Sequence, residues 1–141
     1  MPYSLRFVLG LMVGAALFAA GAGLVEHKQE TRESRTSAEQ LTGGDSVRGK
    51  AAIMHYGCGG CHEIQGIGSA RGGVGPSLSG IAVRTELAGH LPNDPANMVR
   101  WLRDPQGVAP GNGMPNLGVS EQDGRDMAAY LYTLKPMLPP S

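Results

Sequence analysis

Residues 56–64 read YGCGGCHEI and contain the only two cysteines of this 141-residue chain. Cys58 and Cys61 stand three positions apart, and His62 follows the second cysteine directly. Side chains three positions apart in a helical turn lie on the same face. The spacing C-x-x-C-H therefore predicts one site that is built from two thiols and the adjoining imidazole.

C-x-x-C-H is the attachment signature of c-type haem. Two thiols one helical turn apart can add to the two vinyl groups of one porphyrin, and the histidine that follows then lies under the iron as its proximal ligand. We therefore predict a single covalent haem c that is attached at Cys58 and Cys61, with His62 as a metal ligand.

Three other uses of a cysteine pair remain as alternatives. A zinc site needs two more Cys or His ligands at motif spacing, and His27, His55 and His90 do not form such a pair. A thioredoxin-like redox motif needs a strand–helix–strand context, which this sequence lacks. A structural disulfide is the third alternative.

Most methionines in the chain have another explanation than haem ligation. Met54 and His55 precede the cysteines on the same predicted helix, so they cannot reach the far side of a porphyrin. Met98 and Met127 fall in amphipathic segments, where a methionine usually packs in the core. Met137 lies beyond the last predicted helix, among prolines.

Met114 differs from these because it stands in the loop APGNGMPNLG, residues 109–118, which has no helical period. A thioether in such a loop has no core position to explain it, whereas a loop can bring it onto a porphyrin face. Methionine is a known axial ligand of haem iron. We predict Met114 as the distal metal ligand and keep His90 as the alternative.

Residues 5–25 read LRFVLGLMVGAALFAAGAGLV and carry one charge, at Arg6. As a helix they would span about 31 Å, close to the hydrocarbon thickness of a bilayer. We therefore predict that residues 1–25 form a membrane anchor. A secretory signal is the alternative, because AGA at residues 20–22 has the small-x-small form of a cleavage site.

The rest of the chain divides by composition. Residues 26–43 are polar and are predicted to be a linker that buries no core, and residues 44–141 are predicted to be the globular domain. The chain has 22 glycines, 10 prolines and only 5% aromatic residues, so the domain should be rich in loops. Twelve basic and twelve acidic residues cancel, which argues against a nucleic-acid partner.

Three segments of the domain show helix start and stop signals. One helix is predicted from Asp45 to about Tyr56, and a second between residues 94 and 105. The third begins after Ser120, which opens a capping box, and ends before Pro136. No alternating pattern is long enough for a useful strand, so we predict an all-α fold.

Residues 44–135 resemble a class I cytochrome c domain. The stretches that carry the resemblance are GDSVRGKA, YGCGGCH, GPSLSGIAVR, MVRWLRDP, GNGMPNLG and MAAYLYTL. The likeness is to the cytochrome c domains of membrane-bound respiratory complexes, notably the one fused to the copper subunit of caa-type oxidases. This chain lacks a cupredoxin domain and a further cysteine pair, so we expect it to serve beside such a subunit rather than to be one. The resemblance implies three to five short helices around one covalent haem, after a single N-terminal transmembrane helix.

The resemblance also implies roles for four further residues. Pro76 matches the proline whose carbonyl accepts the N–H of the proximal imidazole, and Leu78 matches a residue that packs on the haem. Arg84 matches a basic residue near the haem propionates, and Trp101 matches a tryptophan that lines the same region. An ordinary solvent-exposed arginine is the alternative for Arg84.

A haem iron with His and Met ligands has no open coordination position, so we expect a carrier of single electrons rather than an enzyme with a small-molecule substrate. Two alternatives stay open. One is a haem enzyme, or a sensor of gas or peroxide, whose Met114 loop moves away from the iron. The other is a structural subunit that holds an assembly together.

From residue 44 onward, eight basic residues oppose eight acidic ones, so the domain has no net charge to steer a diffusing carrier to its partner. A membrane tether raises the effective concentration instead. We expect a subunit or tethered companion of a respiratory complex in the bacterial inner membrane: a terminal oxidase, a quinol-oxidising complex or a dehydrogenase. Haem c is attached outside the cytoplasm, so the domain should lie on the periplasmic side.

Overall fold

The computed structural model describes residues 3–135, apart from the side chains of Ser4 and Leu5. Pro136, predicted to end the last helix, and Met137 lie outside the described residues. The chain divides into two compact units, residues 1–33 and residues 34–141.

The first unit consists of one element, the beginning of helix α1, which runs Tyr3–Thr42. The described apolar side chains of this unit are exposed; Phe18, for example, is 81% exposed. The helix contains an 18-residue window of mean hydropathy 2.2 with none of that window buried. By length and composition it can therefore cross a membrane, as the sequence predicts for residues 5–25.

The second unit begins within the segment that the sequence predicts to be a linker. The last turns of α1 belong to it, where Ala38 is 2% exposed and Thr42 is 7% exposed. The carboxylate of Glu39 accepts hydrogen bonds from the N–H and the hydroxyl of Ser46. The expectation that residues 26–43 bury nothing is thus wrong for their last turns, because small side chains such as those of Ala38 and Thr42 can be buried in a segment that is polar overall.

Two helices cross to form the centre of the second unit. Helix α2 runs Ser46–His55 with Asp45 as its N-cap, and the last helix, α5, runs Glu121–Tyr132 with Ser120 as its N-cap. Both helix predictions are confirmed. A Cβ at Gly49 would overlap the backbone of Asp126 and lie 2.9 Å from the N atom of Met127, so this glycine lets the two helices approach closely.

Two shorter helices precede α5 in the chain, and the first of them packs against it. Helix α3 runs Pro95–Arg103 behind the predicted cap Asp94, and the single-turn helix α4 runs Pro105–Val108. Pro105 therefore separates the two helices and occupies the first position of the second, where its missing N–H costs nothing.

One antiparallel pair of two-residue strands, β1 (Glu86–Leu87) and β2 (Leu91–Pro92), precedes α3. The strands are too short for alternation to reveal them, and the all-α prediction holds for the rest of the described residues. The hydrophobic core contains buried side chains from both the helices and the loops. Its larger members are Ile53, Ile64, Ile67, Ile81, Leu87, Met98, Leu102, Val119, Met127, Tyr130, Leu131 and Leu134.

Candidate haem site

The turn that carries the two cysteines follows directly after α2. Gly57 has a φ of 71° and reverses the chain at little cost. A 3-10 turn, Cys58–Gly60, comes next, and the carbonyl of Cys58 accepts the N–H of Cys61 at 3.2 Å and that of His62 at 2.9 Å. The two thiols and the imidazole therefore belong to one compact turn.

The thiols differ in their surroundings. Both cysteines are free; Cys61 is exposed, whereas Cys58 is half-buried and packs against the core. Burial raises the pKa of the Cys58 thiol, whereas a redox-active cysteine has a lowered pKa. Within residues 3–135 no group of three His, Cys, Asp or Glu side chains is placed to hold a metal ion. These observations favour covalent attachment of a prosthetic group over a redox motif, a disulfide or a zinc site.

The ring of His62 is oriented by the loop that follows. Its Nδ1 atom lies 2.8 Å from the carbonyl oxygen of Pro76. A carbonyl can only accept, so Nδ1 carries the proton and Nε2 keeps its lone pair for a metal. The structure thus brings together these two residues, as the sequence resemblance implies.

Gly75 supports the same ring from the side, and sequence reasoning missed it. A Cβ at this position would overlap the imidazole of His62, 2.6 Å from Nδ1. The N–H of Gly75 donates to the carbonyl of Cys61 at 2.8 Å, which holds the loop against the cysteine turn. The available signal was the glycine-rich stretch RGGVG ahead of Pro76.

Leu78 and Arg84 also shape this loop. Leu78 is half-buried against the core, and its N–H donates to the carbonyl of Glu63 at 2.9 Å. The exposed Arg84 uses Nη2 to donate to the carbonyls of Ser77 and Ser79. This arginine, expected near the propionates, therefore braces the loop that presents Pro76.

Trp101 and His90 form a pair. Trp101 is half-buried on α3, and its ring stacks on that of His90 in the β1–β2 turn, with centroids 6.5 Å apart and planes at 25°. His90, the alternative distal ligand, lies in this stack.

Met114 is half-buried in its loop and packs against the core cluster. Met98 and Met127 are each 1% exposed, which confirms the prediction that they are core residues. Met54 is 51% exposed on α2. Among the described methionines, Met114 alone combines a loop position with partial burial.

The residues present fit one covalently attached haem. Two thiols at C-x-x-C spacing can bind its vinyl groups, and the imidazole of His62 has an oriented Nε2. Gly75 leaves space beside that ring, and the thioether of Met114 supplies a soft donor.

The chain is similar to several curated proteins. Cytochrome c oxidase subunit 2 of Alkalihalophilus pseudofirmus is 37% identical over 91 residues, which cover 64% of this chain and 26% of that protein. A nitric oxide reductase subunit of Stutzerimonas stutzeri is 32% identical over 115 residues, which cover 81% of this chain and 74% of that protein. Cytochrome c2 iso-2 of Magnetospirillum fulvum is 34% identical over 92 residues, which cover 57% and 91%.

The chain spans about a quarter of the length of the oxidase subunits that it matches. No solved structure matches it. Residues 46–135 match the family model for cytochrome c, and the chain therefore belongs to the cytochrome c family, whose cofactor is covalently bound haem c.

Proposed function

We propose that this protein is a membrane-anchored mono-haem cytochrome c that passes single electrons to a respiratory complex as its subunit or tethered partner. The observation that carries the proposal is the joining of two parts in one polypeptide: an exposed apolar helix of spanning length and a cytochrome c domain. An electron carrier that is fixed to a membrane meets its partner there at a high effective concentration.

The residues of the site have separate tasks in this proposal. Cys58 and Cys61 would attach the haem, and His62 and Met114 would ligate its iron. The carbonyl of Pro76 holds the imidazole in the tautomer that can ligate. The haem supplies an iron that alternates between the ferric and ferrous states, and a thioether ligand favours the ferrous state.

The comparisons favour a terminal reductase as the partner. Two kinds of relative are named as subunits, of cytochrome c oxidase and of nitric oxide reductase. The alignment with the second covers 115 residues, whereas the family match covers only residues 46–135. Just six residues follow that match, so the similarity extends into the first 45 residues, where the apolar helix lies.

The proposal also includes the location of the protein in the cell. The anchor is expected to cross the bacterial inner membrane once, and the haem domain to face the periplasm, where haem c is attached. Near-zero net charge after residue 44 suits a tethered carrier better than one that finds its partner by electrostatic steering.

Purification of the tagged protein in mild detergent tests this function. We expect the haem protein to remain in the membrane fraction and to travel with the catalytic subunit of a reductase. In those membranes its reduced haem should be reoxidised by oxygen or by nitric oxide. Recovery with a quinol-oxidising complex or a dehydrogenase would contradict the choice of partner, and recovery in the soluble fraction would contradict the anchor.

A further inference from the structure

The Met114 loop has no helix or strand to satisfy its backbone, and two side-chain amides do so instead. The N–H of Met114 donates to Oδ1 of Asn112 at 2.7 Å, and its carbonyl accepts from Nε2 of Gln106 at 2.7 Å. Side-chain amides therefore satisfy both the backbone N–H and the backbone carbonyl of Met114.

The amide of Gln106 makes hydrogen bonds through both its nitrogen and its oxygen. Gln106 is half-buried on α4, and its Nε2 also donates to the carbonyl of Asn112 at 2.9 Å. Its Oε1 accepts from the N–H of Gly111 at 3.0 Å. Two donors and one acceptor thus close the loop between residues 106 and 114 around a single side chain.

The amide of Asn112 is used in the same way. Its Nδ2 donates to the carbonyls of Pro105 at 2.8 Å and Ala109 at 2.7 Å, which tie it to both ends of α4. We call Gln106 and Asn112 the amide clamp. Movement of the Met114 backbone away from its position must break clamp bonds in a half-buried environment, where unpaired amide groups are costly.

We propose that the amide clamp positions Met114 as a ligand that small molecules do not displace, so that the clamp closes the iron to exogenous ligands. The inference rests on the proposed function of Met114 as the distal ligand. Exchange of that ligand requires local opening of the loop, and the clamp raises the free energy of this opening. The clamp thereby favours an electron carrier over an enzyme or a sensor.

Imidazole binding to the ferric, full-length holoprotein in detergent tests the clamp. Gln106→Ala removes both donors to the loop, and we expect its affinity for imidazole to rise roughly 5- to 30-fold, the factor that corresponds to one or two lost hydrogen bonds. Gln106→Glu keeps the shape and the acceptor but loses the Nε2 donors, and should show a rise at least as large. Both variants should keep the sulfur-to-iron charge-transfer band when no imidazole is present.

Gln122→Ala is the matched control, because it also removes an amide that donates to one residue, the buried Asp126, and accepts from another, Arg125, outside the Met114 loop. It should lower the stability of the fold and leave imidazole affinity within about twofold of the wild type. The proposal is overturned if Gln106→Ala binds imidazole as weakly as the wild type, or if Gln122→Ala raises affinity equally.

Met114→Ala separates this inference from the ligand assignment itself. We expect it to lose the charge-transfer band and to bind imidazole more tightly than either Gln106 variant. If the band survives in Met114→Ala, the distal ligand is another residue, and the clamp proposal fails together with the assignment. If the band is lost there but Gln106→Ala behaves as the wild type, only the clamp fails.

Discussion

The imidazole of His62 is held between two neighbours in sequence: Pro76 accepts its Nδ1 hydrogen at 2.8 Å, and Gly75 leaves the space that the ring occupies. The hydrogen bond fixes the direction in which Nε2 points, and the missing Cβ allows the ring to be there. The loop between residues 72 and 78 therefore orients the imidazole that we propose as a haem ligand.

Gly75→Ala should therefore disturb the proximal ligand. The added methyl overlaps the ring, so either the imidazole or the loop must move, at a cost of about 1–3 kcal/mol in the free energy of unfolding. We expect less holoprotein, a longer His62–Pro76 hydrogen bond and a changed reduction potential. Denaturant unfolding and potentiometry of the haem measure these effects.

Gly73→Ala is the matched control for that variant, because a Cβ at Gly73 meets no atom within 4 Å. Its effect on stability should stay within about 0.5 kcal/mol, and its potential should equal that of the wild type. Equal behaviour of the two variants would show that Gly75 has no special relation to the imidazole.

Met114→Ala should convert the haem to a high-spin form that binds carbon monoxide in the ferrous state. Its potential should fall, because the soft sulfur that favours ferrous iron is lost. Met54→Ala serves as the control, since Met54 is exposed on α2 and is expected to leave the spectrum unchanged. A low-spin spectrum in Met114→Ala would move the ligand role to another residue, with His90 the first to test.

Most of this architecture could be predicted from the sequence, because the signals are local. The caps at Asp45, Asp94 and Ser120 predict three helices, and each cap accepts a backbone N–H as expected. The C-x-x-C-H turn and the loop character of residues 109–118 are equally local properties. Burial of Met98 and Met127 follows from helical periodicity.

What the sequence did not reveal depends on contacts between distant segments. No local pattern reveals that a Cβ at Gly75 would overlap a ring thirteen positions earlier in the chain. None reveals that Arg84 donates to the carbonyls of Ser77 and Ser79. Ala38 looks like any alanine of a polar helix until its 2% exposure is known. Such residues can be recognised only when the fold has brought their partners together.

Asp126 should make stability depend on pH. Its side chain is buried, with 2% of the residue exposed, and burial by itself would raise its pKa. Asp126 accepts hydrogen bonds from Arg48, from the N–H of Asp45 and from Gln122. These bonds outweigh burial and lower the pKa of Asp126 below its ordinary value of 3.8. A depressed carboxyl pKa stabilises the fold at every pH above the unfolded value. That contribution is lost as pH falls from about 3.8 through the lower pKa of the folded state.

Asp126→Asn tests this dependence. At neutral pH we expect it to lower the free energy of unfolding by about 1–3 kcal/mol, because the amide cannot accept every bond that the carboxylate accepts. As pH falls from about 3.8 through the lower pKa of Asp126 in the folded state, the curves of variant and wild type should converge. Glu86→Gln, at an exposed position of β1, is the control and should change the free energy of unfolding at neutral pH by less than about 0.5 kcal/mol. A curve of Asp126→Asn that runs parallel to that of the wild type would exclude Asp126 as the source of acid sensitivity.

Two truncated holoproteins locate the beginning of the haem domain. A chain that starts at Ser34 keeps the buried Ala38 and Thr42, whereas a chain that starts at Gly44 loses them, together with the bonds from Ser46 to Glu39 at 3.0 and 2.7 Å. We expect the shorter chain to be less stable by about 1–3 kcal/mol, from lost apolar burial and lost charge-assisted bonds. Denaturant unfolding at equal haem content measures the difference.

Glu39→Gln in the longer chain isolates the contribution of these hydrogen bonds and should account for only a fraction of the difference in stability. The haem spectra of the two chains should be identical, since no residue proposed to hold the haem precedes Gly44. Equal unfolding midpoints would show that the domain begins at Gly44, as composition alone predicts, and that the docked turns of α1 add nothing to its stability.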